Sequence, residues 1–454
     1  MTESARSIRT VWLDVSLLMK HCDPRRPTGI PRTTAQIFRS LWSRGVTNLR
    51  LCEPADGPCG MTEVRPGELI ARFPIPSLPQ AKSPTVEVEC GDDPPPIPGR
   101  SRWPARLVPG FARRWLRGVQ RRVQRPERVV DAPSVPLVEF GSADLLLHLG
   151  GAWADPGSGA GRFEELHRRH GLRIAHLIYD LIPVLRPQFF PEGLAPVLED
   201  YFRSTLRQSE FLLSISRRTR DDLELFATRQ GIPLPPVEVV RLGENVPSDE
   251  GGVVPPAELD EARPFVLCVG TQEVRKNHHL LYQVWRRLVE KRSGRVPALV
   301  IAGAAGWLAG DVMYQFRTDP LTREHVVIVP KCDDGQLRWL YESCLFTVYP
   351  SHYEGWGLPI AESLAFGKPC IASNTSSMTE IAADLTLMAD PCDAPAWLDL
   401  VERLLDPEFR STLEGRIRRQ FRRTSWDDTT DQIVGYLEGH FGQVFQWPAR
   451  CLSA

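Results

Sequence analysis

The feature that most constrains the fold of this chain is an alternation of uninterrupted apolar runs with segments of helical period. The apolar run Phe265–Gly270 is followed by a loop and then by His278–Arg292, which has apolar residues at positions 280, 281, 284, 285, 288 and 289. The alternation continues with expected strands at 298–303, 326–330, 345–350 and 370–373, and with expected helices from about Gly335 and at 359–366. Strands that are apolar throughout and separated by helices indicate a parallel sheet covered on both faces.

The first half of the chain repeats this alternation. Strands are expected at 11–15, 49–52, 144–149, 174–179, 211–215 and 237–241, and helices at 31–42, 162–170, 194–208 and 219–230. A chain of 454 residues also suits two domains better than one. We therefore predict an α/β protein with an N-terminal domain at 1–248, a C-terminal domain at 262–427 and a helical segment at 428–454.

A Pro-rich insertion at about 54–136 interrupts the first domain, and we expect irregular stretches there rather than a third domain. Within it, Arg100–Arg128 contains ten Arg and one acidic residue, Glu127, for a net charge of +9. Apolar residues recur at helical spacing in this segment: Phe111, Trp115, Leu116, Val119 and Val123. The pattern fits a helix in an anionic membrane interface, or a helix that packs its apolar stripe on the first domain.

Composition limits the classes of partner and the compartment. The formal net charge is −1, so no overall field attracts nucleic acid. The N-terminus lacks an apolar signal core, and the longest apolar stretch, 297–310, is too short to span a bilayer. The ten Cys show no zinc spacing and read as reduced thiols. We expect a cytoplasmic protein that can sit on the inner face of the cell membrane through residues 100–128.

Two loops of the second half follow expected strands, where ligands of open parallel sheets bind. The first loop, 270–277, carries Arg275 and Lys276 directly before a helix. Two adjacent cations at a helix N-terminus suit a diphosphate, although a solvated Arg–Lys pair is the alternative.

The second loop, 351–362, carries two carboxylates and two glycines. Gly355 and Gly357 allow the backbone to approach a ligand closely. Glu354 and Glu362 would repel phosphates, so we expect them to address sugar and ribose hydroxyls instead. The alternative is one loop Glu and one exposed helical Glu without a ligand.

The seven-residue separation of Glu354 and Glu362 resembles the E-x7-E signature of glycosyltransferase family 4. The surrounding YPSHYEGWGLPIAESLAFGKPCIAS, the earlier VGTQEVRKNHHLLYQVW and the later segment Ser377–Asp384 are also similar to that family. The resemblance is thinner in the first half, where it covers 28–32, 179–183 and 214–219, and it fails across 54–136.

The resemblance implies the GT-B architecture, with two facing Rossmann-like parallel-sheet domains and an interdomain cleft that holds a nucleotide-sugar donor. It implies that Arg275 and Lys276 contact the donor diphosphate and that Glu354 addresses the donor sugar. Asp180 completes the implied catalytic group, and Tyr179 stands where many members carry His.

Further residues are implied to bind the donor. The backbone around Gly357 and Leu358 would assist at the sugar, and Glu362 would bind the ribose. Lys331 lies in the stretch expected beside the nucleobase, and Gly29 would approach the phosphates from the first domain.

The resemblance further implies a retaining hexose transfer to a glycan or polyprenol-linked glycan acceptor. The Lys276–His278 form resembles mannosyltransferases of bacterial surface polysaccharide assembly, which favours mannose and a GDP-sugar over a UDP-sugar. The chain contains no Asp-x-Asp sequence, so we expect neither a metal nor any other cofactor. Two alternatives remain: a sugar-nucleotide epimerase or hydrolase on the same fold, and a non-catalytic nucleotide-sugar-binding relative.

Overall fold

The computed structural model describes residues 8–21, 29–55, 60–73, 136–151, 161–244, 252–292 and 296–448. A first sheet occupies the first half of the chain. Its strands are β1 Thr10–Asp14, β2 Leu49–Pro54, β3 Met61–Val64, β4 Asp144–His148, β5 Arg173–Ile178, β6 Phe211–Ser214 and β7 Val237–Val239. Their order is β3-β2-β1-β4-β5-β6-β7, and every neighbouring pair is parallel except β2 with β3.

A second sheet, parallel throughout, occupies the second half. Its strands are β8 Phe265–Val269, β9 Ala298–Ala302, β10 Val326–Val329, β11 Thr347–Tyr349, β12 Cys370–Ser373 and β13 Leu387–Ala389. Their order is β10-β9-β8-β11-β12-β13. The order reverses direction at β8 and β11, so the loops that follow these two strands diverge and leave a crevice between them.

Helices connect the strands and cover the sheets. In the first half they are α1 Ser16–His21, α2 Ile30–Ser43, α3 Pro66–Arg72, α4 Gly161–His170, α5 Ile182–Leu185, α6 Leu194–Gln208 and α7 Arg217–Gln230. In the second half they are α8 His278–Lys291, α9 Gly310–Thr318, α10 Asp334–Ser343, α11 Leu358–Ala365, α12 Ala394–Leu405, α13 Pro407–Gln420 and α14 Trp426–Phe441.

The apolar strands are buried because helices cover both faces of each sheet. Every residue of β4 and β9 is buried. Trp285 of α8 and Trp397 of α12 are fully buried, and these two helices pack against each other. The expected two parallel-sheet domains are therefore present, and most predicted strands and helices match the observed ones to within two residues.

The last helix, α14, returns to the first domain and packs on α2. The hydroxyl of Ser40 donates to Asp427 at 2.5 Å, and Arg44 forms an ion pair with Asp431. The buried Asn48 amide donates to the Val444 carbonyl at 2.9 Å, and the side-chain oxygen of Asn48 accepts from the backbone N–H of Gln446. The segment that follows the second domain therefore packs on the first domain.

Part of the predicted insertion is regular structure. Strand β3 pairs with β2 and is followed by α3, so the expectation of an irregular insertion is wrong for residues 61–72. The basic segment Arg100–Arg128 lies outside the described residues. Of the helices that the structure describes, none has both the length and the apolar character needed to cross a bilayer.

Candidate active site

A cavity of about 520 Å³ lies between the two domains, beyond the carboxyl ends of β5, β8, β10 and β11. The nine residues expected to act in catalysis or donor binding all line it: Gly29, Asp180, Arg275, Lys276, Lys331, Glu354, Gly357, Leu358 and Glu362. They come from both sheets, so the cavity exists only because the domains face each other.

The loop after β8 presents the two cations through a short 3-10 helix, Val274–Lys276. The helix ends at Asn277, whose φ of 55° is left-handed, a conformation that Asn tolerates better than most residues. The Asn277 amide donates to the carbonyls of Pro350 and Pro391 at 3.1 and 2.8 Å. These two bonds tie the cation loop to the ends of β11 and β13.

Glu354 lies between the two cations. Its Oε1 is 2.6 Å from the Lys276 Nζ, and its Oε2 is 2.5 Å from the Arg275 Nη1. Burial by itself would raise the pKa of this carboxyl, since only 6% of Glu354 is exposed, but the charges of Arg275 and Lys276 outweigh burial and lower the pKa to about 2. Glu354 is therefore an oriented carboxylate at any physiological pH.

Further contacts fix the two cations. Arg275 also binds Glu273 at 2.5 Å and donates to the carbonyl of Tyr353 at 2.7 Å. Burial opposes the charge on Arg275, but Glu354 and Glu273 together raise its pKa. The Lys276 ammonium donates to the Tyr349 hydroxyl at 2.7 Å. Both cations are thus held in fixed geometry inside the cavity.

Glu362 is bound by residues from both domains. Its Oε1 accepts from the Arg32 Nη1 at 3.0 Å, and its Oε2 accepts from the Tyr341 hydroxyl at 2.8 Å. Arg32 belongs to α2 of the first domain, and both ends of this ion pair are buried. Each carboxylate oxygen keeps a second lone pair, so Glu362 can still accept from a ligand hydroxyl.

The two glycines of the second loop serve different purposes. Gly357 directly precedes α11 with a φ of 126°, a conformation that other residues rarely adopt, and Gly357 and Leu358 both line the cavity. At Gly355, a Cβ atom would lie 2.2 Å from the carbonyl oxygen of Tyr179. Gly355 is therefore required by contact with the first domain, whereas the sequence suggested a ligand.

Asp180 has a structural contact as well as a place in the cavity. Its Oδ1 accepts from the backbone N–H of Ile182, the first residue of α5, at 3.0 Å. Burial raises the pKa of Asp180, and the positive charge of Arg275 partly opposes this. Burial likewise raises the pKa of the neighbouring Tyr179, whose phenol stays neutral.

Gly29 lines the cavity from the first domain, and Lys331 lines it from the second. Gly29 precedes α2 with a φ of 59°, and the space around its Cα is open, which allows a ligand to approach α2. Lys331 follows β10 and is exposed. A ligand that reached both residues would span the cavity from the first domain to the second.

Residues 255–422 match the family model described as glycosyl transferases group 1. The O-antigen chain mannosyltransferase B of Escherichia coli is 27% identical over 269 residues, which cover 58% of this chain and 69% of that protein. The serotype-specific mannosyltransferase WbdA of Escherichia coli is 23% identical over 228 residues, which cover 48% of this chain and 28% of that protein. The chain thus spans little more than a quarter of WbdA. These matches support a glycosyltransferase.

The fold of this chain is shared along nearly its whole length with a solved structure. The sucrose-phosphate synthase of Thermosynechococcus elongatus is 18% identical, covers 95% of this chain over 99% of its own, and superposes with a TM-score of 0.56. The predicted GT-B fold is therefore confirmed.

A second cavity, about 300 Å³, meets the first one at Tyr179, Asp180 and Arg275. Its remaining lining is mostly apolar and aromatic, and the first domain supplies Leu194, Leu198, Tyr201, Phe202 and Phe190. Trp307 closes it from the second domain and donates its indole N–H to the carbonyl of Phe189 at 2.8 Å.

Sequence reasoning missed several residues that bind the predicted site residues. They are Arg32, Glu273, Tyr341 and Tyr349. Arg32 stood in a segment that resembled the family and at the start of an expected helix, and this position was the available signal. Glu273 and Tyr349 also stood in segments that resembled the family, and this was the available signal for them. Tyr341 carries no such signal, since a Tyr in an apolar segment is ordinarily a core residue.

Proposed function

We propose that this glycosyltransferase transfers a hexose, with mannose favoured, from a nucleotide-sugar and with retention of anomeric configuration. The observation that carries the proposal is the buried cluster of Arg275, Lys276 and Glu354 at the meeting point of two cavities. We assign the larger cavity to the donor and the smaller one to the acceptor.

The cluster suits departure of a nucleoside diphosphate. Negative charge develops on the leaving oxygen, and preorganised cations stabilise it without rearranging. Arg275 and Lys276 supply two positive charges, and the start of α11 adds the partial positive charge of a helix N-terminus. We propose that Glu354, kept ionised by these cations, accepts hydrogen bonds from hydroxyls of the donor sugar. We therefore propose that the transfer is independent of a divalent metal.

The second cavity favours transfer over hydrolysis or epimerisation. A hydrolase or an epimerase needs no pocket for a second sugar, whereas this cavity offers aromatic faces for a pyranose ring and, at Asp180, a carboxylate for its hydroxyls. A glycan or a polyprenol-linked glycan of surface polysaccharide synthesis fits the names of the relatives. We favour a GDP-sugar over a UDP-sugar because the Lys276–His278 segment resembles mannosyltransferases.

The test begins with a thermal-shift panel of GDP, UDP and ADP, because a ligand at ~100 times its Kd adds ~2.7 kcal/mol of stability. The corresponding nucleotide-sugars are then incubated with and without glycan and polyprenol-linked acceptors. We expect release of diphosphate that depends on acceptor and persists in excess EDTA. Release that ignores acceptor indicates a hydrolase, and binding without turnover indicates a non-catalytic protein. Loss in EDTA, restored by magnesium or manganese, overturns metal independence.

A further inference from the structure

Two segments to which the sequence assigned no role meet across the domain boundary. Glu380 ends the 3-10 helix Ser376–Glu380 of the second domain. Its two carboxylate oxygens accept from the backbone N–H groups of Arg217 and Arg218, at 2.9 and 2.8 Å. These are the first residues of α7 in the first domain, where amides lack intrahelical partners and carry partial positive charge. Glu380 therefore caps a helix of the opposite domain.

Tyr353 makes a second contact with the same helix. Its hydroxyl donates to the buried carboxylate of Asp222 at 2.7 Å and accepts from the Arg218 Nε at 2.5 Å. Arg218 and Asp222 lie one turn apart on α7 and form an ion pair of 3.1 Å. The start of α7 thus holds the second domain at two points.

Tyr353 and the 3-10 helix that ends at Glu380 are both bonded to the backbone of Glu354. Tyr353 directly precedes Glu354. On the other side, the 3-10 helix of Glu380 binds both polar groups of the Glu354 backbone: the Ser376 hydroxyl accepts from its N–H at 2.9 Å, and the Ser377 hydroxyl donates to its carbonyl at 2.8 Å. The loop that carries Glu354 is therefore fixed through residues that the first domain holds.

We propose that Glu380 is a positioning residue: α7, acting through Glu380 and Tyr353, orients Glu354 for transfer only while the two domains are closed on each other. The inference rests on the proposed function, since it gives Glu354 its role at the donor sugar. It makes domain closure a condition for the chemical step, which excludes turnover in an open state where water can enter.

The inference predicts different effects on kcat and on nucleotide affinity, whereas a general loss of structure would lower both. The nucleotide part of the cavity is formed largely by the second domain, and it does not include Glu380 or Tyr353. Loss of the α7 contacts should therefore reduce kcat and leave nucleotide affinity nearly unchanged.

The experiment compares Glu380→Gln and Tyr353→Phe with a matched control, Asp406→Asn. Asp406 also accepts from two helix N-terminal amides, at 2.8 and 3.0 Å, but within the second domain. We expect Glu380→Gln and Tyr353→Phe each to lower kcat about 10-fold and to change the Kd for GDP and UDP less than about twofold. Each should also increase the radius of gyration in small-angle scattering. The control should change none of these, although it should unfold at lower denaturant concentration.

The proposal is overturned if both Glu380→Gln and Tyr353→Phe leave kcat and the radius of gyration unchanged. It is also overturned if nucleotide affinity falls as much as kcat. If no nucleotide-sugar is turned over by the wild-type chain, the proposed function fails. The radius of gyration then still tells whether α7 closes the domains through Glu380 and Tyr353.

Discussion

The chemistry of the site depends on charges that neutralise one another in a buried place. Glu354 accepts from two cations, and Arg275 is shared between two carboxylates. Removing one member of such a cluster leaves a buried charge with fewer partners, which costs more than the same change on the surface. Substitutions here therefore alter both stability and turnover, and a control at an exposed ion pair is needed.

Lys276→Ala should lower turnover by roughly 100-fold, the size expected for loss of one preorganised charge stabiliser. Because Glu354 keeps Arg275, the free energy of unfolding should fall by only about 1 to 3 kcal/mol. Steady-state kinetics at saturating donor and denaturant unfolding measure the two effects. Lys291→Ala, which removes an exposed ion pair with Glu402, is the control and should change neither appreciably. Turnover near the wild-type value would remove Lys276 from the site.

Glu354→Gln and Glu362→Gln should differ in kind. Glu354→Gln should mainly lower kcat, because its carboxylate lies between the two cations, where we propose that the donor sugar binds. Glu362→Gln should mainly weaken the affinity for free nucleoside diphosphate, because we expect this carboxylate on the ribose. Calorimetric Kd values and kcat for both variants decide the matter. An equal loss of nucleotide affinity in the two variants contradicts this division.

His278 should make stability fall in mild acid. Burial, with the charge of Lys276, lowers the pKa of His278 to about 4, whereas an unfolded His titrates near 6.5. Below pH 6.5 the unfolded chain therefore binds the proton that the folded chain excludes, so stability is full above that pH and declines toward pH 4. This group should reduce the free energy of unfolding by about 2 kcal/mol between pH 7 and pH 5. Denaturant curves at both pH values should show a smaller decline in His278→Gln; an identical decline refutes the assignment.

Among the elements, α14 has the most unexpected position, because it follows the second domain along the chain and packs on the first. A capping box of Ser425 and Asp428 begins it, so the helix itself is encoded locally. Its position on the first domain is set by contacts with α2 and with the turn after α2. In that turn, Asn48 binds the backbone of Val444 and of Gln446.

Asn48→Ala should lower the free energy of unfolding by about 1 to 3 kcal/mol, since it leaves the buried carbonyl of Val444 without its donor. Nucleotide affinity should be unchanged, because neither Asn48 nor Val444 lines the cavity that we assign to the donor. Thermal or denaturant unfolding together with a GDP and UDP titration tests both statements. Arg50→Ala, which removes an exposed ion pair with Glu63 on the adjacent strand, is a control expected to change stability by less than about 1 kcal/mol. If the free energy of unfolding falls no more than in the control, the Asn48 contact does not contribute to stability.

For the whole molecule, the net charge of −1 conceals a strong local asymmetry. The segment Arg100–Arg128 carries +9, and each basic residue near an anionic leaflet contributes about 1 kcal/mol at most. We predict cosedimentation with vesicles that requires anionic lipid, falls steeply with salt and vanishes when Arg113, Arg114, Arg117, Arg121 and Arg122 become Gln. A variant with five Arg→Gln changes outside 100–128, at exposed positions such as Arg168 and Arg169, is the control for total charge. Binding that ignores lipid charge, or that persists in the segment variant, leaves packing on the first domain as the interpretation.

The sequence by itself determined the two parallel-sheet domains and the loops at which the site forms. Apolar periodicity acts over a few neighbours, as do Pro359 in the first turn of α11 and Gly367 just past its end, so these signals predict strands and helices without knowledge of the fold. Loops that follow parallel strands meet at one edge of a sheet, which is why Arg275, Lys276 and Glu354 could be expected together.

Only the tertiary structure decided which polar groups pair. Glu362 binds Arg32 from 330 residues away, Gly355 is required by the carbonyl of Tyr179, and Glu380 caps α7 of the opposite domain. Such pairs have no periodic signal in the sequence. They are selected because a buried polar group must find a partner among whatever the folded chain brings near it.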